Sequence, residues 1–212
     1  MNDLGETMKI LKASTESARE CANYLAAGEL VVYPTETVYG LGADATSASS
    51  VGKVFLAKRR DTTSAVSVAV GTVAAAWEIA EFNAAAEAIA REFLPGPVTL
   101  ILRSKVDFKY AVSKGTLGVR VPDDSFFSEL WRAFGKPIVS TSANISGARD
   151  PLCAADVDGL LLGSVAALVD GGRTRYGRAS TTVDVSDGRA KVLREGAVPA
   201  ERIMAAVAAA GL

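Results

Sequence analysis

The chain has 212 residues, 49% of them apolar and 22% charged, an ordinary globular composition long enough to bury roughly 70% of its unfolded surface. Its 23 basic and 24 acidic residues leave a formal charge of −1, which speaks against a basic nucleic-acid coat and a polyanionic tail. It contains no histidine, so imidazole general bases, Ser-His and Cys-His nucleophile pairs and most zinc and haem sites are excluded.

The start, Met1 to Ile10, has no apolar run of signal-peptide type. The spacing of Ser17 and Glu20 predicts a capping box for a first helix beginning around Ser14, with Gly28 as its stop. Leu30 to Tyr33 reads as a buried strand ending at Pro34. Val51 to Lys58 reads as a short helix, and Ala65 to Val70 as another apolar strand. Thr72 caps a helix to Ala80, and Asn83 caps one that stops at Pro95-Gly96-Pro97. Strands are expected at Val98 to Leu102 and Leu117 to Val121. A helix over Asp124 to Phe134 ends at Gly135, and Pro137 to Val139 is a short strand. Ala154 to Leu162 reads as a helix, Ala166 to Val169, Thr181 to Val185 and Lys191 to Leu193 as strands. A last helix spans 199–210.

Apolar strands without alternation suggest a sheet covered on both faces. The expectation is α/β, a single domain over 1–212 with its core at about 17–197 and a mixed, twisted, open sheet. No GxGxxG follows the first strand, and no GxxxxGK[ST] is present, so Rossmann and P-loop sites are absent. Cys21 and Cys153 lie far apart and outside any CxxC pair. Two free thiols and no membrane-length apolar run predict a cytoplasmic protein without a membrane partner.

Four segments place polar groups where apolar strands end. Pro34 to Gly42 puts Thr35 and Glu36 at a strand's carboxyl end, where ligands bind in open α/β sheets. Its glycines would let backbone approach a ligand; the competing reading is a turn whose threonines cap themselves. Lys58-Arg59-Arg60 closes a helix, where cations complement the macrodipole. If the helix stops near Lys58, Lys58 and Arg60 face the same way as a two-pronged phosphate site. In Pro137 to Gly147 an apolar strand turns into hydroxyls and an amide. At a period of two, Ser140, Ser142 and Asn144 share one face, which a ligand or an Asx turn would satisfy. Arg120 and Arg194 stand in apolar strands and need an anion nearby, either a ligand or an internal partner such as Asp184 or Glu195. Thr116 and Ser180-Thr181 add hydroxyls. Together these describe a cleft of cations, hydroxyls and glycine turns without a nucleophile or base. It suits a phosphate-bearing ligand and chemistry run by positioning and charge stabilisation.

The segments PTETVYGLG (34–42), KRR (58–60), PGPVT (95–99), GVRVP (118–122), STSANISG (140–147) and LREG (193–196) resemble the YrdC-like family, in family order, over about residues 30 to 197. The best-known members are threonylcarbamoyl-AMP synthases. The resemblance implies a twisted open sheet with a large basic cavity, and a short type without the C-terminal domain of longer relatives. It implies that L-threonine, bicarbonate or CO2, and ATP with Mg2+ give L-threonylcarbamoyladenylate and pyrophosphate. The product would pass to a separate tRNA threonylcarbamoyltransferase for N6-threonylcarbamoyladenosine at position 37 of tRNAs reading ANN codons, so contact with tRNA is indirect. Carried over, Thr35, Arg120, Ser140 and Ser180 match threonine-binding positions. Lys58, Arg60, Thr116, Ser142, Asn144 and Arg194 match positions around the nucleotide, with Lys58 and Arg60 as the catalytic cations and no metal ligand from protein side chains. The chain departs from the family at Asp61 and Ala65 (prolines), at Ser67-Val68-Ala69 (no histidine), at Asp150 (serine or threonine) and at Glu195 (proline). These departures bear on substrate affinity more than on fold. Two other readings are a YrdC-like RNA-binding or accessory protein without synthase activity, and a carbamoyltransferase-like enzyme.

Overall fold

The structure is a computed structural model and describes residues 8–62 and 66–212. The chain opens with β1 (Lys9–Lys12), α1 (Thr15–Ala26), β2 (Val31–Tyr33), β3 (Gly40–Gly42), α2 (Ala48–Lys58) and β4 (Ser67–Ala69). Then come α3 (Val73–Ile79), β5 (Ala80–Glu81), α4 (Ala84–Phe93), β6 (Val98–Ser104), β7 (Val112–Ser113), β8 (Thr116–Arg120), α5 (Ser125–Phe134) and β9 (Ile138–Ser142). A 3-10 turn (Ala154–Asp156), α6 (Gly159–Leu162), β10 (Ala167–Asp170), β11 (Thr181–Asp184), β12 (Lys191–Arg194) and α7 (Ala200–Ala209) complete it.

Among the described residues the strands form one mixed sheet in the order β1-β10-β2-β3-β9-β4-β8-β6-β11-β12, with β5 on β6 and β7 on β8. β9 joins the two halves. Its Thr141 and Ser142 pair with Leu41 and Gly40, while its Ile138 to Ser140 pair with β4. The period of two sends alternate side chains of β2 into different cores. Val31 and Tyr33 pack with Cys21 and Leu25 of α1 and Phe127 and Leu130 of α5. Val32 packs on the other face with Val51 and Phe55 of α2. Helices therefore cover both faces, as the unalternating strands predict.

Local chemistry explains most helix boundaries. Thr72, Asn83 and Asp124 each accept a backbone N–H of the helix they open. The first helix is capped one turn earlier than the Ser17–Glu20 spacing suggests. Ser14 and Ser17 exchange the reciprocal bonds, and Glu20 instead pairs with Lys9 at 2.8 Å. The helix expected over Ala154 to Leu162 is broken, because Val157 is extended and Asp158 opens a new cap by accepting from Leu160 N. β9 runs on to Ser142, since its polar end continues the ladder against β3. The strand expected at Ala65 to Val70 is seen as Ser67–Ala69; Ala65 lies outside the described residues, as does the start of the chain before Met8. No helix among the described residues is long and apolar enough to cross a membrane.

Candidate active site

A cavity of about 360 Å3 lies over the middle of the sheet, at its polar strand ends. Its floor is set by register. Thr182, Thr99 and Arg120 are neighbours in one row across β11, β6 and β8. Ser67 lies opposite Ser140 across β4 and β9. Strands that are apolar on their buried side thus present hydroxyls and a guanidinium to one hollow. Lys58, Arg60, Arg120 and Arg194 line it, against a single carboxylate among the described residues, Asp150.

α2 stops at Lys58 because Arg59 adopts the left-handed conformation at φ 51°. The stop brings Lys58 and Arg60 to the cavity together. The Lys58 ammonium is almost fully buried and spends its three protons on carbonyl groups. It donates to Ser142 O at 2.5 Å, Asn144 O at 2.8 Å and Asn144 Oδ1 at 2.9 Å. The Lys58 carbonyl in turn accepts from Ser146 N at 3.0 Å. The polar turn after β9 is therefore wrapped around Lys58. Burial, reinforced by the charge of Arg60 and opposed by Asp150, lowers the Lys58 pKa to about 8. Burial also holds the Arg60 guanidinium below the usual arginine value.

The remaining predicted residues extend this network. Ser142 Oγ donates to Asn144 Oδ1 at 2.8 Å, and Asn144 Nδ2 reaches Ala148 O at 2.7 Å and Asp150 Oδ1 at 3.2 Å. Ser180 Oγ and Thr99 Oγ1 are hydrogen-bonded at 2.8 Å, and Arg194 Nη2 donates to Ser180 O at 2.9 Å. Thr35 Oγ1 donates to Val38 O at 2.7 Å and accepts from Thr37 N, so the self-capping turn forms and still faces the cavity.

One expectation needs correction. The internal anion for Arg120 is neither Asp184 nor Glu195 but Glu36: Arg120 Nη2 lies 2.9 Å from Glu36 Oε1 and 2.7 Å from Thr37 Oγ1. Asp184 accepts from Ser186, and Glu195 accepts from Ala200 N at the start of α7. Thr116 stands at the opposite end of β8 from Arg120 and donates to Ser113 O. Gly40 and Gly42 are needed for the Tyr33 ring rather than for a ligand alone: a Cβ at Gly42 would sit 2.7 Å from a ring carbon. Ser67, Thr99, Thr182 and Ser146 also line the cavity and escape sequence reasoning. Their only signal is a hydroxyl inside or beside an apolar strand, and register decides whether it points inward.

A model of the Sua5/YciO/YrdC family, described as telomere recombination, matches residues 23–196. This chain belongs to that family. A protein of Methanocaldococcus jannaschii is 32% identical over 200 residues, covering 92% of this chain and 95% of its own. The threonylcarbamoyl-AMP synthase of Pyrococcus abyssi is 35% identical over 188 residues, covering 87% of this chain and 55% of that protein. The crystal structure of P. abyssi Sua5 complexed with L-threonine superposes with a TM-score of 0.89 at 32% identity, over 94% of this chain and 61% of that one. The chain thus spans little more than half of the P. abyssi protein and nearly all of the M. jannaschii one. Among the described residues no group of three or more Asp, Glu, Cys or His side chains could hold a metal ion.

Proposed function

We propose that this protein is an L-threonylcarbamoyladenylate synthase, a nucleotidyltransferase that joins L-threonine, bicarbonate or CO2, and ATP. The observation that carries the reading is the convergence of Lys58, Arg60, Arg120 and Arg194 with six strand hydroxyls on one hollow, in a chain with no histidine to serve as a general base. Such a site holds two anionic reactants and stabilises charge without forming a covalent enzyme intermediate.

The chemistry then follows from the substrates. The threonine ammonium gives a proton to solvent and the free amine adds to CO2, so that the N–C bond forms as one C–O π bond opens onto oxygen and a second proton leaves to solvent, giving the carbamate. A carbamate oxygen attacks the α-phosphorus of ATP in line. The O–P bond forms as the bond to the bridging oxygen breaks, and pyrophosphate leaves with that electron pair. Arg120, fixed by Glu36 and Thr37, presents its guanidinium to the threonine carboxylate. Thr35, Ser140 and Ser180 surround the rest of the amino acid. Arg60, Arg194 and the charge of Lys58 stabilise the phosphates, and Ser142 and Asn144 form the adjoining wall. Mg2+ arrives as part of the MgATP substrate. A wall with one carboxylate, Asp150, suits a cation that keeps its waters and is carried chiefly by phosphate oxygens. The product passes to a separate transferase that makes N6-threonylcarbamoyladenosine in tRNA.

Pyrophosphate release tests the reading. It must require threonine and bicarbonate together, and ATP turnover indifferent to threonine would overturn it.

A further inference from the structure

A second hollow, of about 320 Å3, lies where the chain leaves β2, β8 and β10. Thr35 borders both it and the cavity, but Arg120 lines the cavity and Glu36 lines this hollow, so their ion pair is the partition between the two. Its wall is tied down by close packing and hydrogen bonds. A Cβ on Gly171 would lie 2.7 Å from Pro34 Cγ, so the exits of β10 and β2 run directly together. Tyr39 OH donates to Gly172 O at 2.7 Å and accepts from Gly171 N at 3.0 Å. Tyr176 N donates to Glu36 O at 2.8 Å. At the rim Arg173 is exposed, and Arg175 is neutralised by Asp123 at 2.6 Å.

Two buried oxygens of this wall have no partner among the described residues. Glu36 Oε1 is held by Arg120 Nη2 at 2.9 Å and Asp123 N at 3.2 Å, while Glu36 Oε2 accepts from nothing. Thr174 Oγ1 is likewise unbonded. Both residues are at least nine-tenths buried, and both line the hollow. Leaving such groups buried and unbonded costs free energy, so each calls for a partner. Asp124 stands on the same wall and caps α5, accepting from Phe127 N through Oδ1 at 2.9 Å. Burial, opposed by that N–H and reinforced by the Glu36 carboxylate, raises the Asp124 pKa. What these acceptors lack is a donor that carries positive charge. Among the described residues no group of three or more Asp, Glu, Cys or His could hold a metal ion, and two carboxylates with one hydroxyl are too sparse a set for a divalent cation. A primary ammonium has one charge and three N–H donors, one each for Glu36, Asp124 and Thr174.

We propose that this hollow is a binding site for an ammonium group, either the free ion or a small primary amine, on the far side of the Arg120–Glu36 pair from the cavity. Thermal unfolding of the full chain tests it, in tetramethylammonium, potassium, ammonium and methylammonium chlorides at one ionic strength and neutral pH. Ammonium should raise the unfolding midpoint by about 2–4 °C over tetramethylammonium, which has no N–H, and over potassium, which has charge alone. The same gain in methylammonium assigns the site to an amine, and a gain in ammonium alone assigns it to the free ion. Thr174→Val and Asp124→Asn should each lose the gain, although asparagine still caps α5. Asp187→Asn, in the turn between β11 and β12, should keep it. In tetramethylammonium, Thr174→Val should be at least as stable as the wild type, because its hydroxyl has no hydrogen bond there to lose. No gain in the wild type, an equal gain in potassium, retention of the gain by either wall variant, or a Thr174→Val chain less stable than the wild type in tetramethylammonium overturns the inference. Turnover is never read, so the outcome stands apart from the synthase reading.

Discussion

Lys58 and Asn144 hold each other from both ends: the ammonium donates to the Asn144 carbonyl and to its side-chain Oδ1, at 2.8 and 2.9 Å. With Ser142 O as the third acceptor, Lys58 has no free proton to offer a phosphate until one of these bonds opens. Its first task is to shape the turn that carries Ser142 and Asn144. Lys58→Met should therefore lower stability as well as turnover. The carbonyls it leaves without a donor cost about 1–3 kcal/mol. Arg60→Ala should cut turnover while leaving the unfolding midpoint in urea nearly unchanged. Equal stability of the two variants would show that the turn stands without Lys58.

The same burial gives a pH dependence with opposite signs for activity and stability. With the Lys58 pKa lowered to about 8, the folded chain gives up this proton before the unfolded chain does, since an unfolded lysine titrates near 10.4. Between these values the unfolded state binds more protons, so the share of stability set by Lys58 rises with pH and levels off above the unfolded value. Activity moves the other way, because the neutral amine no longer offsets phosphate charge. In the free enzyme kcat/KM for ATP should fall above about pH 8, approaching tenfold per unit. Lys58→Arg, if it retains turnover, should carry the plateau past pH 9. A wild-type profile flat to pH 9.5 would exclude a required positive charge on Lys58.

The parts legible in the sequence are those governed by chemistry within a few residues. Asn83 and Asp124 announce their helices because a cap acts over three positions. The hydroxyl run after Ile138 shows itself because an apolar strand cannot absorb it without partners. What escapes is long-range. Glu36 meets Arg120 from far away in the sequence, and neither segment carries a mark of the other. Thr99 and Thr182 become one row only through the parallel pairing of β6 with β11. β5 and β7 have two residues each, too short to show a period.

The buried Arg120–Glu36 pair makes a sharper prediction about threonine. Both side chains are at least nine-tenths buried, at 7% and 2% exposure. Removing either partner leaves an unpaired buried charge, costing about 3–5 kcal/mol. Glu36→Gln should destabilise the fold and raise KM for threonine, because Arg120 loses its anchor, while KM for ATP changes little. Arg120→Met/Glu36→Leu should regain much of the stability of either single variant without regaining threonine affinity. Chemical denaturation and steady-state kinetics on the four chains separate these roles. A double variant as unstable as the sum of the singles would show that the pair is not energetically coupled.

The cavity floor can be tested by a single methyl group. A Cβ on Gly118 would stand 2.5 Å from Ser67 Oγ and 3.1 Å from Ser67 Cβ. Gly118→Ala must therefore displace the Ser67 side chain, which lines the cavity opposite Ser140. Overpacking of this kind costs about 1–3 kcal/mol. The displaced hydroxyl narrows the hollow where the amino acid is expected to lie, so KM for threonine should rise about tenfold, equivalent to roughly 1.4 kcal/mol. Ser67→Gly in the same chain removes the obstructing atoms and should restore most of the affinity, since residues in contact compensate one another. Rescue is the decisive arm. If Gly118→Ala weakens threonine binding and Ser67→Gly does nothing to repair it, the added methyl acts through the backbone of β8 instead, and Ser67 does not form the floor of the threonine site.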